Sequence, residues 1–586
     1  MSGAASPQQR LQKLLKKGVK HHREGHRELA EVCYRKILKL DPMSYEAKQM
    51  LGLLQEKTGP GLEPAPSVGA SRAADENTLN NRAGLYLAEG KIQSAIDCLQ
   101  RLVELRPNSA PAHQHLGEAQ ERLGDLPAAA NSYKRALVLK PDSSELHCHL
   151  ARVLNQGGAL ELAAELYRRA LSLAPESHEI YSDLGSVLTE LGKFDAALEA
   201  FRRALKLNHR AAKTIANLGR LFERKCDLIS AADAYRDAIK LDPKLLPAYV
   251  DLGFVLYGLG ELAEAADCLD RLLKLDPDSA EAKANLGLIH LLQGQLSIGW
   301  AEYESRWKVE VGDHRRFLQR QWKGEPLKGE RILLHAEQGL GDTLQFVRYV
   351  PLVAAQGGDV VLEVQPVLHG LLAGKDGAPQ VISRGDTLPE FSWQCPLLSL
   401  PLAFGTELET IPASVPYISP DPARMEEWRQ RLGGNTRRIG LVWTGNPSHP
   451  RNRLRSLPLE QLISLIKVPG TTFYSLQFGP GAEEMKQLPP DVRLIHLGEE
   501  LKDFVNVAAI VANLDLVISI DTSVAHLAGA MGKPVWILLN KGCDWRWFLE
   551  REDSPWYPTA RLFRQTTPGG WPEVVNRIER ELRQSG

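Results

Sequence analysis

The chain has 586 residues, too many for one ordinary domain; length alone argues for about three to four. Lys and Arg total 71 against 72 for Asp and Glu, a formal net charge of −1. This argues against nucleic-acid binding, because affinity for a phosphate backbone rests on a surplus of basic side chains. A hydrophobic share of 43% with 24% charged residues is that of a folded globular chain.

From the N-terminus, MSGAASPQQR lacks the apolar core of a signal peptide, and no stretch approaches the ~20 apolar residues that span a bilayer. Cys33, Cys98, Cys148, Cys226, Cys268, Cys395 and Cys543 are scattered singly; they are read as reduced thiols in a cytosolic protein. His21, His22 and His26 have a metal-like spacing but read as a solvated basic helix face, so no metal is expected. All 11 tryptophans lie at Trp300 or later, so two different objects join near there.

The first object is a repeat. Pro107, Pro141, Pro175, Pro243 and Pro277 share one register of 34 residues. A Leu-Gly pair keeps that period at Gly117, Gly185, Gly219, Gly253 and Gly287, with Leu150-Ala151 as the single substitution. Ala-x-x-x-aromatic follows at Tyr133, Tyr167, Phe201 and Tyr235, with Leu269 closing the series. This is the tetratricopeptide pattern of two antiparallel helices per unit: small residues allow close helix contact and the aromatic fills the gap. Residues 77–310 are assigned to the array. Gly18, Tyr34 and Pro42 repeat the spacing, so residues 1–58 read as tetratricopeptide-like helices. A Pro/Gly/Ala-rich stretch, residues 59–76, reads as a linker.

Such an array works through its concave face, lined by each first helix. The position before the Leu-Gly pair runs His115, His149, Asp183, Asn217, Asp251, Asn285. The array resembles that of eukaryotic O-linked GlcNAc transferases, which carry an asparagine ladder there; this chain keeps part of it. Val250, Phe254 and Tyr257, then Leu288 and Leu291, make the groove apolar towards its C-terminal end. That surface either packs on the following domain or seats an amphipathic helix of a partner protein. Asn217, Val250, Asp251, Phe254, Tyr257, Asn285 and Leu288 are the expected acceptor-binding residues.

The second object alternates short apolar strands with helices, which implies parallel sheets. Strands are expected at 331–335, 360–364 and 380–383, and, after Gly433-Gly434-Asn435, at 438–443, 472–476, 493–496, 514–520 and 535–539. Two such sets fit two Rossmann-like halves, 325–435 and 436–586, with a ligand outside the carboxyl ends of the strands. Three loops there carry chemistry. Glu337–Thr343 contains glycines and Asp342, a helix cap or a functional carboxylate. Trp443–Pro447 is followed by Arg451, Arg453 and Arg455, guanidiniums suited to an anion. Ser519–His526 runs from strand to helix, where free N–H groups with Thr522 and Ser523 make a phosphate site. Asp544–Trp547 and Trp556-Tyr557 wall the cleft or pack the core.

These loops resemble the heptosyltransferase-like inverting glycosyltransferases (glycosyltransferase family 9), which have a GT-B fold. The resemblance covers residues 325–565. It implies Asp342 as general base, with Glu337 the next candidate, and Arg455 in place of a phosphate-binding lysine. Asp521, Thr522 and His526 match the nucleotide-sugar motif, with Ser523 replacing a glycine. Gly341, Trp443, Asn446, Arg453 and Gln477 complete the expected donor set. The fusion to repeats is similar to bacterial protein glycosyltransferases, flagellin-modifying enzymes among them. The expected function is therefore transfer of a sugar from a nucleotide-sugar substrate, with no further cofactor, to serine or threonine of a protein held by the array. An interaction scaffold with an inactive catalytic half, or a lipopolysaccharide heptosyltransferase, is the alternative. A chain beginning near Arg320 is expected still to bind donor.

Overall fold

A computed structural model describes residues 27–40, 68–309, 317–374, 379–434, 436–449 and 451–584, with single residues 14, 15, 17, 19, 21 and 315. Gly18, His22, His26, Pro42 and residues 59–67 of the expected linker lie outside them. The rest of that stretch is corrected: a helix, Val68–Ala88, already covers it. The chain divides into two compact units, Met1–Leu221 and Phe222–Gly586, so the division falls inside the helix Ala212–Arg224. No described helix is long and apolar enough to cross a membrane.

In the first unit, helical hairpins succeed one another: Ala110–Leu123 with Leu126–Leu139, Ser144–Gln156 with Leu160–Leu173, and His178–Glu190 with Phe194–Leu207. The repeating pairs are in direct contact. A β-carbon at Gly117 would lie 2.8 Å from the Tyr133 ring, and one at Gly185 2.6 Å from that of Phe201. Both rings are fully buried, each worth about 1.5–3 kcal/mol of apolar burial. Serines before successive first helices add a second register. Ser109, Ser143 and Ser177 accept from Ala112, Leu146 and Ile180 N–H at 3.4, 3.3 and 3.4 Å, satisfying donors that a helix start leaves open.

The second unit opens with further repeat helices, among them Leu246–Leu259 with Leu262–Leu275 and Ala280–Leu292 with Leu296–Tyr303. It continues into two wholly parallel sheets. The first has β1 (Arg320–Gln321), β2 (Arg331–His335), β3 (Asp359–Val364), β4 (Gln380–Ser383) and β5 (Trp393–Pro396), in the order β1-β5-β2-β3-β4. The second has β6 (Arg437–Val442), β7 (Thr471–Ser475), β8 (Leu494–His496), β9 (Leu516–Ile520), β10 (Val535–Leu539) and β11 (Ala560–Arg564), in the order β11-β10-β9-β6-β7-β8. Central strands such as β2 and β9 are buried along nearly their whole length, which is why they read as continuous apolar runs. Three strands escape the sequence reading. β1 is two residues long, β5 has its apolar residues interrupted by Gln394 and ends in proline, and β11 is an edge strand carrying an arginine at its end.

Candidate functional site

Two loops meet where β2 and β9 end. After β2, the chain turns at Gly339 into the helix Leu340–Phe346. After β9, it enters the helix Ser523–Ala530 through Asp521 and Thr522. A β-carbon on Gly341 would come 2.7 Å from His526 Cδ2, so the first loop packs closely on the second and only glycine fits there. Asp342 Oδ2 accepts from the Gly339 N–H at 2.7 Å, the capping role, and Oδ1 pairs with Arg546. Arg546 is buried and also donates to Asp544 Oδ1 and Gln345 Oε1, both at 2.7 Å. Asp342 thus has a fixed direction and a cationic neighbour, and keeps partial exposure.

His526 is buried with Nδ1 2.9 Å from Tyr557 OH. Its Nε2 lies 3.5 Å from Asp521 Oδ1, and its ring stacks on Trp547 at 5.4 Å. Burial pushes the Asp521 carboxyl up, but hydrogen bonding and charge from His526, with Arg455 behind them, outweigh it and hold the group well below the usual carboxylate range. Arg455 donates to the Asp521 carbonyl at 3.0 Å. Its guanidinium lies against the loop after β6, where a β-carbon on Gly445 would be 2.7 Å from Nη2. Arg455 Nε is buried without a hydrogen-bond partner. His449 adds a titratable group beside it, its pKa lowered first by burial and then by the Arg455 charge. Thr522 and Ser523, both half-buried, begin the helix next to this guanidinium.

Gly341, Asp342, Arg455, Asp521, Thr522, Ser523 and His526 are therefore neighbours. Other expected site residues are not part of this group. Glu337 is corrected from catalytic candidate to anchor. Both of its oxygens are taken by Arg306, at 3.0 and 2.9 Å, and the Leu398 N–H adds a third bond at 3.2 Å. Burial raises its pKa against the pull of Arg306. Trp443 is fully buried in the second sheet's core. Gln477 is a clamp: it accepts from Trp443 and Thr444 N–H at 3.2 and 3.0 Å and donates to the Thr444 and Phe478 carbonyls at 3.0 and 3.1 Å. Asn446 accepts from Ser448. Arg453 is exposed and donates to the Arg224 carbonyl at 3.2 Å. Trp545, Trp547, Trp556 and Tyr557 are core residues.

The apolar end of the groove is corrected in the same way. Tyr257 is buried, its hydroxyl donates to the Cys543 carbonyl at 3.0 Å, and burial raises its pKa. Arg451 lies over Phe254 and Tyr257, 4.2 and 4.3 Å from the ring centroids. A β-carbon on Gly542 would come 2.5 Å from the Tyr257 carbonyl. This surface packs on the α/β part of its own chain and is no open seat for a partner at Phe254 and Tyr257. Leu291 is likewise buried, against Gly299 of the next helix. Val250, Asp251, Asn285 and Leu288 are half-buried on the same two first helices. Asn217 belongs to the first unit, where it donates to Ser182 Oγ at 3.2 Å.

The sequence reading had no signal for Arg306 or Arg348. Arg348 is buried and donates to the carbonyls of Gln345 and Trp556 and to Tyr417 OH, at 2.8, 2.7 and 2.7 Å. Neither arginine belongs to a repeated spacing or a strand-end motif, so only the fold discloses them.

Replacing Arg455 by alanine is expected to weaken nucleoside diphosphate binding about 10- to 100-fold, the worth of one charge-assisted hydrogen bond of about 1.5–3 kcal/mol. Calorimetry with nucleoside diphosphates measures this; unchanged affinity would show that Arg455 holds no nucleotide phosphate.

Models of the tetratricopeptide repeat match residues 80–144, 116–178 and 250–297, and a second such model matches 178–210. Protein FlbA of Caulobacter vibrioides (strain ATCC 19089 / CIP 103742 / CB 15) is 28% identical over 324 residues, 50% of this chain and 54% of that protein. The chain thus spans about half the length of this curated relative. Among solved structures, a tetratricopeptide repeat protein from Parabacteroides merdae ATCC 43184 has 18% identity and a TM-score of 0.37, covering 41% of this chain and 95% of its own. Pseudomonas aeruginosa pilF has 20% identity and a TM-score of 0.30, covering 36% of this chain and 97% of its own. The chain carries tetratricopeptide repeats, a protein-interaction scaffold, joined to a unit with two parallel sheets.

Proposed function

We propose that the chain is an inverting, GT-B-type glycosyltransferase that moves a sugar from a nucleotide-sugar donor to a serine or threonine hydroxyl of a protein recruited by the repeats. The observation that carries this reading is the meeting of Gly341-Asp342 with Asp521–His526 at the carboxyl ends of two parallel sheets. That is where open α/β sheets hold ligands. In this reading the donor's phosphates lie against Arg455 and the N–H groups at Thr522–Ser523, which stabilise the departing nucleotide. Asp342 accepts the proton of the attacking hydroxyl. Arg546 and the Gly339 N–H keep its carboxylate aimed. The scheme calls for no metal, because the guanidinium and the helix start supply the positive potential. Flagellin is one acceptor that the resemblance of the fusion suggests.

A second reading, a scaffold whose α/β unit is inactive, is favoured by one observation: both Asp342 oxygens already have partners. Mass spectrometry of proteins from cells with and without the gene separates the two. Sugar-bearing serine or threonine peptides that vanish with the gene support transfer; identical peptide maps support the scaffold.

A further inference from the structure

The loop bearing Asp342 is held from the repeat side of its own unit. Arg306, just beyond the last repeat helix, is buried and binds Glu337 through Nε and Nη2 at 3.0 and 2.9 Å. Its remaining donors reach Ser399 Oγ at 2.8 Å, the Tyr303 carbonyl at 3.2 Å and Glu304 Oε1 at 2.6 Å. Tyr303, the last residue of the helix Leu296–Tyr303, accepts on its hydroxyl from Gln338 Nε2 at 2.9 Å. Gln338 and Glu337 are the residues that enter the turn at Gly339, whose N–H meets Asp342. On the other side of Asp342, Arg546 lies 4.3 Å from the Trp545 ring centroid, and Trp545 packs edge-on against Trp300 of the same repeat helix at 5.1 Å. Trp300 Nε1 in turn donates to the Thr406 carbonyl at 3.0 Å.

A buried ion pair is a poor source of net stability, since apolar residues of equal volume often serve as well. What a pair with every donor assigned does provide is one geometry. From this arrangement we infer that Arg306 and Tyr303 are positioning residues for Asp342: the end of the repeat array is a working part of the site. The inference deepens the transferase reading and rests on it for its kinetic consequence. Loss of orientation at a reacting group costs up to about 10²-fold in rate without weakening binding of the remaining ligand contacts.

The test uses the full-length chain carrying Arg306→Lys, with Tyr303→Phe as a milder variant that removes only the hydroxyl. Three measurements are made: amide hydrogen exchange at residues 338–343, calorimetric affinity for nucleoside diphosphates, and nucleoside diphosphate release from UDP-, GDP-, dTDP- and ADP-sugars with protein extract of cells lacking the gene as the source of unmodified acceptor hydroxyls. For Arg306→Lys the expected result is faster exchange in that loop, affinity within two-fold of wild type, and kcat lowered by about 10²-fold at unchanged KM. In an Asp342→Asn background Arg306→Lys should cost nothing further, because both act on one carboxylate. Tyr303→Phe should shift exchange and kcat in the same direction by less. Unchanged exchange at 338–343 in both variants overturns the inference, as do rate losses that multiply with Asp342→Asn. Should wild type release nothing from any sugar, the transferase reading fails, and loop exchange alone then decides the positioning role.

Discussion

Asp342→Asn is expected to lower sugar transfer by about 10²–10⁴, the usual worth of a positioned general base. Nucleoside diphosphate affinity should stay within about two-fold, because Arg455 and the Asp521–His526 loop stand on the second sheet and keep their own partners. Asparagine retains an oxygen that can accept the Gly339 N–H, and Arg546 keeps Asp544 and Gln345, so the loop has the means to hold its shape. Thermal melting beside initial rates separates chemistry from folding. Turnover within a few-fold of wild type would reduce Asp342 to a helix cap and partner of Arg546. Glu337 could not then take its place, since its side chain is buried as well as held by Arg306 and the Leu398 N–H, whereas Asp342 keeps partial exposure.

A chain beginning at Arg320 is expected not to fold, contrary to the sequence reading that it binds donor by itself. The cut removes Tyr257, Trp300, Tyr303 and Arg306. It uncovers Trp545 and Gly542 and leaves Glu337 without its cation. Stranding one member of a buried ion pair costs about 3–5 kcal/mol, a large part of the 5–15 kcal/mol that separates folded from unfolded domains. A chain beginning at Ala212 keeps the second compact unit entire. Circular dichroism melts should show a cooperative transition for the longer chain and none for the shorter. Cooperative melting of the shorter chain would show that the repeat helices dispensed with are not structurally required.

Periodicity made the helices legible because each of two helix faces repeats the same packing problem. The strands at 331–335 and 535–539 were legible because parallel strands are buried on both sides. β5 was not: Trp393–Pro396 has no apolar run, and its place in the sheet comes from pairing with β1 and β2, contacts remote in sequence. Strand-end position singled out Asp342, Arg455 and Asp521, which the fold brings into one neighbourhood. Position alone does not say which way a side chain turns. Trp443 turns into the core, Gln477 reaches across to the Trp443-Thr444 backbone of the loop after β6, and Phe254 and Tyr257 face an arginine of the same chain. Those choices are made by three-dimensional neighbours that no local window contains.

The contact of Gly117 with Tyr133, and of Gly185 with Phe201, lies between the two helices of one repeat and not between successive repeats. The steric lock is therefore copied whole whenever 34 residues of gene are copied. Duplication or loss in that step preserves the spacing of glycine and ring, whereas a length change out of that step between the two separates the pair. Array length is thus free to drift among descendants of such a gene, and the unit of inheritance is the hairpin.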